Sequence, residues 1–131
     1  MGKRPDYTAV SGANSVQNVL RVLEGRWKLV ILFQLFGGKV LRFSELERSI
    51  PGISQKMLIQ QLRQLEKDGV VARIVHHEVP PRVEYRLTDW GQALCPALDA
   101  LLLWAEAAPA ETRARLLDGE TEQQANASAL A

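Results

Sequence analysis

Lys56, Gln60, Arg63 and Lys67 recur at alternating steps of four and three residues. At about 100° per residue that spacing sets them along one side of a helix, with no acid in the line. Lysine pairs with guanine acceptors, glutamine with adenine, and long cations with phosphate. Ser54 and Gln55 precede them, at the helix end whose free N–H groups favour an anion. A stripe of this kind suits the major groove of DNA. Taken alone, it is also the face of any solvated amphipathic helix.

The helix that must carry the stripe has both ends marked. Ser54 is a good N-cap, because its hydroxyl can accept from an unpaired N–H of the first turn. Ile53 and Leu58 occupy the two positions of a hydrophobic staple. Gly69 suits the left-handed residue after the helix. Leu58, Leu62 and Leu65 share the opposite, buried face, flanked by Met57 and Ile59. On this reading Lys56 and Gln60 address base edges. Ser54 and Gln55 grip a phosphate, with Gln55 also in reach of a base. Arg63 and Lys67, farther along, hold the backbone. Ile59 can touch a thymine methyl or pack against the core.

The neighbouring elements favour the groove. Ser44 and Glu47 match a capping box that opens a short helix to about Ser49, and Pro51-Gly52 then enforces a turn. Two short helices around a tight turn make a helix-turn-helix pattern. Beyond Gly69 the period changes. Val70–Glu78 is rich in β-branched residues, and Arg82–Leu87 alternates, with Val83, Tyr85 and Leu87 facing in. Val79-Pro80-Pro81 between them forms a stiff hairpin tip. A hairpin placed directly after such a helix is a wing, and Arg82 at its tip can enter a minor groove or remain a solvated charge. Arg42 offers a further phosphate contact.

Upstream, residues 1–14 read as a flexible polar arm. Ser15 can cap a helix over residues 16–24 that buries Val16, Val19, Leu20 and Leu23. The apolar run 26–36 reads as the central core helix. Downstream, Thr88 caps a helix from Asp89 to about Ala107 that is apolar nearly all round, with Pro96 expected to kink or split it. Such a helix at the edge of a small domain calls for a second chain, so Trp90, Leu94, Leu98, Leu101 and Trp104 are its dimerisation candidates. Pro109 restarts a helix to about Leu117, before a polar tail. The domain reading is therefore an arm over 1–14, a winged helix with its dimer helix over 15–107, and a C-terminal helix and tail over 108–131.

Bulk properties agree. The 131 residues, 47% of them apolar, suit one globular domain. Net charge is +1, unevenly spread: residues 1–88 hold 14 Lys and Arg against 8 Asp and Glu, whereas residues 89–131 hold 2 against 7. A basic front suits a protein that meets a polyanion with one end. No apolar run reaches a membrane span and no signal-peptide core precedes the first helix, so a cytoplasmic, nucleoid-associated location is expected. His76 and His77 are adjacent in a strand and point to opposite faces, and no ligand cluster joins them. Neither a metal nor a cofactor is expected. The absence of a nucleophile–base pair or phosphate loop argues against an enzyme.

These strings resemble a known family, the HxlR-type branch of winged-helix bacterial transcriptional regulators within the wider MarR-like fold. The matching pieces are Gly25-Arg26-Trp27-Lys28, Arg42-Phe43-Ser44-Glu45-Leu46, the stretches Ile50–Leu58 and Leu62–Gly69, Glu78–Tyr85, and Leu87-Thr88 followed by Gly91. The resemblance covers residues 15–107. It implies a mainly α winged helix-turn-helix with a small β-hairpin, dimerised through terminal helices, that binds a palindromic operator as a homodimer. Redox- and aldehyde-sensing members carry a reactive cysteine ahead of the first helix, but Asp6–Gln17 has none. The single thiol, Cys95, falls in the dimer helix, where it is an inert small hydrophobe or a partner for its own copy. Trp27, Phe33, Trp90 and Trp104 can line an apolar pocket for a small-molecule effector, or simply fill the core. A winged-helix module that binds proteins rather than double-stranded DNA is the alternative function.

Overall fold

Helices and a three-stranded sheet surround an apolar core in the larger part of the chain, in a computed structural model that describes residues 5–118. The chain divides into two units between Gln92 and Ala93. The first unit contains α1 (Ala9–Val22), α2 (Lys28–Leu35), β1 (Leu41–Arg42), α3 (Phe43–Ser49), α4 (Gln55–Lys67), β2 (Val71–His76), β3 (Arg82–Leu87) and α5 (Asp89–Gln92). The second contains α6 (Leu94–Glu106) and α7 (Ala110–Leu117). Ile31, Leu32, Leu35, Leu46, Leu58, Leu62, Leu65 and Leu87 form the core of the first unit, each essentially inaccessible to solvent.

α4 follows from its sequence at both ends. The Ser54 hydroxyl accepts the Met57 N–H at 3.0 Å. At the other end Val70 N–H reaches Leu65 O at 2.9 Å and Gly69 N–H reaches Glu66 O at 3.0 Å. These are the two bonds of a Schellman motif, and Gly69 takes the left-handed φ of +80° that it needs. Val70 is buried over the end it closes. Burial of Leu58, Leu62 and Leu65 contributes roughly 1.5–3 kcal/mol per side chain.

The hairpin closes from Val71 opposite Leu87 to His76 opposite Arg82, and β1 adds a third strand through Leu41 opposite Tyr85. Strand order is β1-β3-β2. Directly opposed residues of an antiparallel pair share a face. Val71, Arg73, Val75, Val83, Tyr85 and Leu87 therefore project from one side, and Ala72, Ile74, His76, Arg82, Glu84 and Arg86 from the other.

Several elements depart from expectation. α1 begins at Ala9, inside the segment expected to be a flexible arm, because Thr8 and Ser11 cap each other: Ser11 N–H to Thr8 Oγ1 is 3.1 Å and Thr8 N–H to Ser11 Oγ is 2.9 Å. Ser15 lies mid-helix. The α1 face expected to be buried is not, since Val16 is 58% and Val19 60% exposed. α2 buries only one side; Leu29, Val30 and Phe33 on its other flank are exposed. The α3 cap sits two residues earlier than the Ser44–Glu47 pair, because the Glu45 carboxylate reaches back to the Arg42 N–H at 2.9 Å.

The expected helix over 89–107 is interrupted at Ala93. Pro96 has no N–H to give the carbonyl four residues back, at Gln92, and its ring crowds that carbonyl. Placed in the first turn of α6 instead, its missing donor costs nothing. Thr88 caps α5 as expected, accepting the Gly91 N–H at 3.0 Å while donating to Gly69 O at 2.7 Å. One hydroxyl thus ties the end of α4 to the start of α5. Gly91 lies so close that a Cβ there would stand 2.3 Å from Val70 O. Gly91→Ala should therefore cost about 1–3 kcal/mol through backbone displacement, measured as a lowered urea midpoint; an unchanged midpoint would show that the strand end moves freely. The polar tail expected after residue 119 lies outside the described residues.

Candidate nucleic-acid interface

α3, the Pro51-Gly52 turn and α4 place the stripe. Gly52 turns the chain with φ +86°, and Ile50 and Ile53 anchor the turn in the core on either side. The edge of the Trp27 ring lies 4.0 Å from where a Gly52 Cβ would stand, so α2 braces the same turn. With Leu58, Leu62 and Leu65 buried, rotation of α4 is set and its polar line must face outward.

The outward face is a shallow concave surface lined by Gln55, Lys56, Ile59, Gln60, Arg63, Gln64 and Lys67. Six of these seven are residues that the sequence singles out. Ser54 sits at the head of the helix, exposed, its oxygen already accepting from Met57. Gln64 was missed; it stands one turn beyond Gln60, a spacing that could have flagged it. Ile59 is 36% exposed, on the rim rather than in the core. Among the described residues, every ion pair within 4.0 Å belongs to the hairpin, so Lys56, Arg63 and Lys67 carry uncompensated charge.

The wing is less basic than its sequence suggests. Arg82 is half-buried, with Nε 3.1 Å from Glu78 Oε1 and 4.0 Å from Glu84 Oε1. The nearer contact lacks hydrogen-bond alignment, leaving that N–H without a partner. Glu84 is also held by His76 Nε2, a pairing that the sequence reading missed although the two lie near each other on one sheet face. Arg42 is exposed and, with Ser44 and the Val79–Arg82 tip, lines a second cleft where the helix-turn-helix meets the wing. Of the aromatic residues considered for an effector pocket, Trp27 lies under Arg26 at 4.5 Å, Phe33 packs edge-on against Phe36, and Trp90 and Trp104 are exposed.

In the second unit Leu101, Leu102, Leu103 and Trp104 are exposed, the last by 72%, whereas Leu94 and Leu98 are half-buried and Ala105 is buried. Cys95 is half-buried with its Sγ 4.0 Å from Asp99 Oδ2. No described helix is long and apolar enough to cross a membrane.

Known proteins share this arrangement. The HxlR-like helix-turn-helix family model matches residues 22–112. The HTH-type transcriptional regulator YtcD of Bacillus subtilis (strain 168) is 54% identical over 90 residues, which span 69% of this chain and 71% of that protein. A MarR-family transcriptional regulator from Enterococcus faecalis V583 superposes with a TM-score of 0.72 at 41% identity, covering 78% of this chain and 92% of that one. The redox regulator HypR in its reduced form superposes with a TM-score of 0.64 at 43% identity, covering 71% and 91%. These relatives are regulators and not enzymes. A capped recognition-type helix with an uncompensated polar face, a wing behind it and matches of this extent have one reading: the chain belongs to the HxlR-like helix-turn-helix family of DNA-binding transcriptional regulators.

Proposed function

We propose that the chain is a sequence-specific regulator that binds a palindromic operator as a homodimer, α4 of each copy entering a major groove. The observation that carries the reading is the outer face of α4, where seven polar or half-exposed residues line one surface free of acidic partners. Lys56 and Gln60 lie in the first half of the helix and read base edges; Ser54 and Gln55 bind phosphate at its positive end. Arg63, Lys67 and Arg42 hold the backbone. Ile59, on the rim, meets a thymine methyl. Arg82 reaches a minor groove by exchanging Glu78 for DNA, and a partly exposed ion pair of that kind holds it by only about 0–1 kcal/mol.

The homodimer is supported by apolar surface that the single chain leaves uncovered. Leu101 and Trp104 on α6 are exposed as a dimer seam requires, Leu94 and Leu98 on the same helix are half-buried, and Trp90 on α5 is exposed in its own unit. A small-molecule effector is consistent with the family.

Selection of duplexes from a randomised pool by the full chain tests the proposal. The enriched duplexes should contain an inverted repeat with half-sites about one helical turn apart, roughly 34–36 Å, or a multiple of that. Enrichment of a single unsymmetrical site would exclude the palindrome. Failure to enrich any duplex would exclude DNA as the target.

A further inference from the structure

A cleft of about 550 Å³ separates α4 from the hairpin sheet, with Ile59, Arg63 and Glu66 on the helix side and Arg73 and Tyr85 on the sheet side. Arg73 plays no part in the site as read from sequence. Its position is unusual. In the strand register Arg73 lies opposite Tyr85, so it shares the face of Val71, Val75, Val83, Tyr85 and Leu87 and is the one charged residue there. A guanidinium on an otherwise apolar sheet face would ordinarily be paired. Arg73 instead is exposed at the cleft, and among the described residues neither it nor Arg63 has an ion-pair partner. Glu66 contributes the single carboxylate, leaving the cleft with a net positive charge.

We propose that this cleft seats one phosphodiester of the DNA strand between the two grooves, clamped by Arg63 from α4 and Arg73 from β2. The inference rests on α4 being the recognition helix. With α4 in a major groove and the wing over the neighbouring minor groove, the strand dividing those grooves must cross between helix and hairpin. The cleft lies there, and it is continuous with the outer face of α4, because Gln55, Ile59 and Arg63 line both. Two guanidinium groups lining one cleft from opposite walls match the oxygens of a phosphate better than point charges do. Arg73 is then a positioning residue: it fixes how deeply α4 sits without reading a base.

The experiment uses the duplex recovered from the random pool, with single phosphates replaced in turn by neutral methylphosphonate. Wild type should show a position in each half-site where the replacement weakens binding about tenfold. In Arg73→Ala that penalty should shrink several-fold, because Arg63 alone then meets the phosphate, binding should fall similarly for the selected and a scrambled duplex, and the salt slope should flatten by up to roughly 0.9 for each phosphate contact weakened. Arg73→Lys should recover most of the slope, and Arg86→Ala, on the opposite sheet face, should leave it unchanged. The clamp is overturned if Arg73→Ala keeps the wild-type slope and methylphosphonate profile while Lys56→Ala still abolishes selective binding, a result that leaves the recognition helix standing. Wild type that binds no duplex overturns the recognition helix itself.

Discussion

Removing both Lys56 and Arg63 side chains should weaken operator binding by at least about a hundredfold while leaving the fold intact. The two lie seven residues apart, about two turns or roughly 10 Å along α4, on its outer face. Neither is held by an ion pair among the described residues, so neither alanine uncovers an unpaired charge. Surface changes of this kind alter stability by less than about 0.5 kcal/mol, and the urea midpoint of the double variant should match wild type. The DNA terms are larger. A good base contact discriminates by roughly 1–3 kcal/mol, and each lost phosphate contact lowers the salt slope by about 0.9. In a dimer both losses occur twice.

The single variants should separate the roles. Lys56→Ala should bring the affinities for selected and scrambled duplexes closer together, because a base contact carries the difference between them. Arg63→Ala should weaken both in parallel and flatten the salt dependence. Anisotropy titrations at several salt concentrations measure both quantities. If the double variant keeps the wild-type affinity and slope, α4 is an ordinary solvated helix and the polar stripe has no partner.

The residues of α4 were readable from the chain because every cue there is local. A cap hydroxyl, a C-terminal glycine and leucines at helical spacing act within a few residues of one another, and burial of those leucines then dictates which side faces out. Arg73 was not readable. It lies within the β-branched stretch from Val70 to Glu78, where either parity of the strand places some valines inward. Only its pairing with Tyr85, twelve residues away across the hairpin, decides that Arg73 faces α4 rather than solvent behind the sheet. The same pairing sets Arg82 beside His76 and between two carboxylates, which no reading of Pro80-Pro81-Arg82 as an exposed tip contains. The start of α1 was hidden for another reason. A Thr8–Ser11 box satisfies the same two donors as a Ser–Glu box but with shorter side chains, a weaker signal in a polar segment. Amphipathic spacing showed that Val16, Val19 and Leu20 share a face. It could not show that this face stays exposed among the described residues.

The exposed apolar residues of α6 lead to the second large effect. Leu101→Glu combined with Trp104→Glu should yield a monomer at concentrations where wild type is a dimer, as sedimentation equilibrium would show. Both side chains are more than half exposed on α6, so the charges enter solvent in the monomer and cost the fold little. In a dimer seam they would be buried without partners, at several kcal/mol each, and the apolar area they replace would be lost as well. Tryptophan at the centre of such a seam is the residue type that most often dominates interface energy. Changes at Leu94 or Leu98 should act differently, because half-burial within their own unit makes them contribute to folding as well as to association. For DNA the consequence follows from geometry. A dimer binds its second half-site at the effective concentration set by the first, worth a factor of about 10²–10⁴. The monomeric variant should lose that factor on the inverted repeat, yet bind a single half-site as wild type does. Retention of full affinity by a proven monomer would mean that each copy reads its half-site independently, whereas a variant that stays dimeric would mean that the exposed face of α6 belongs to some other partner.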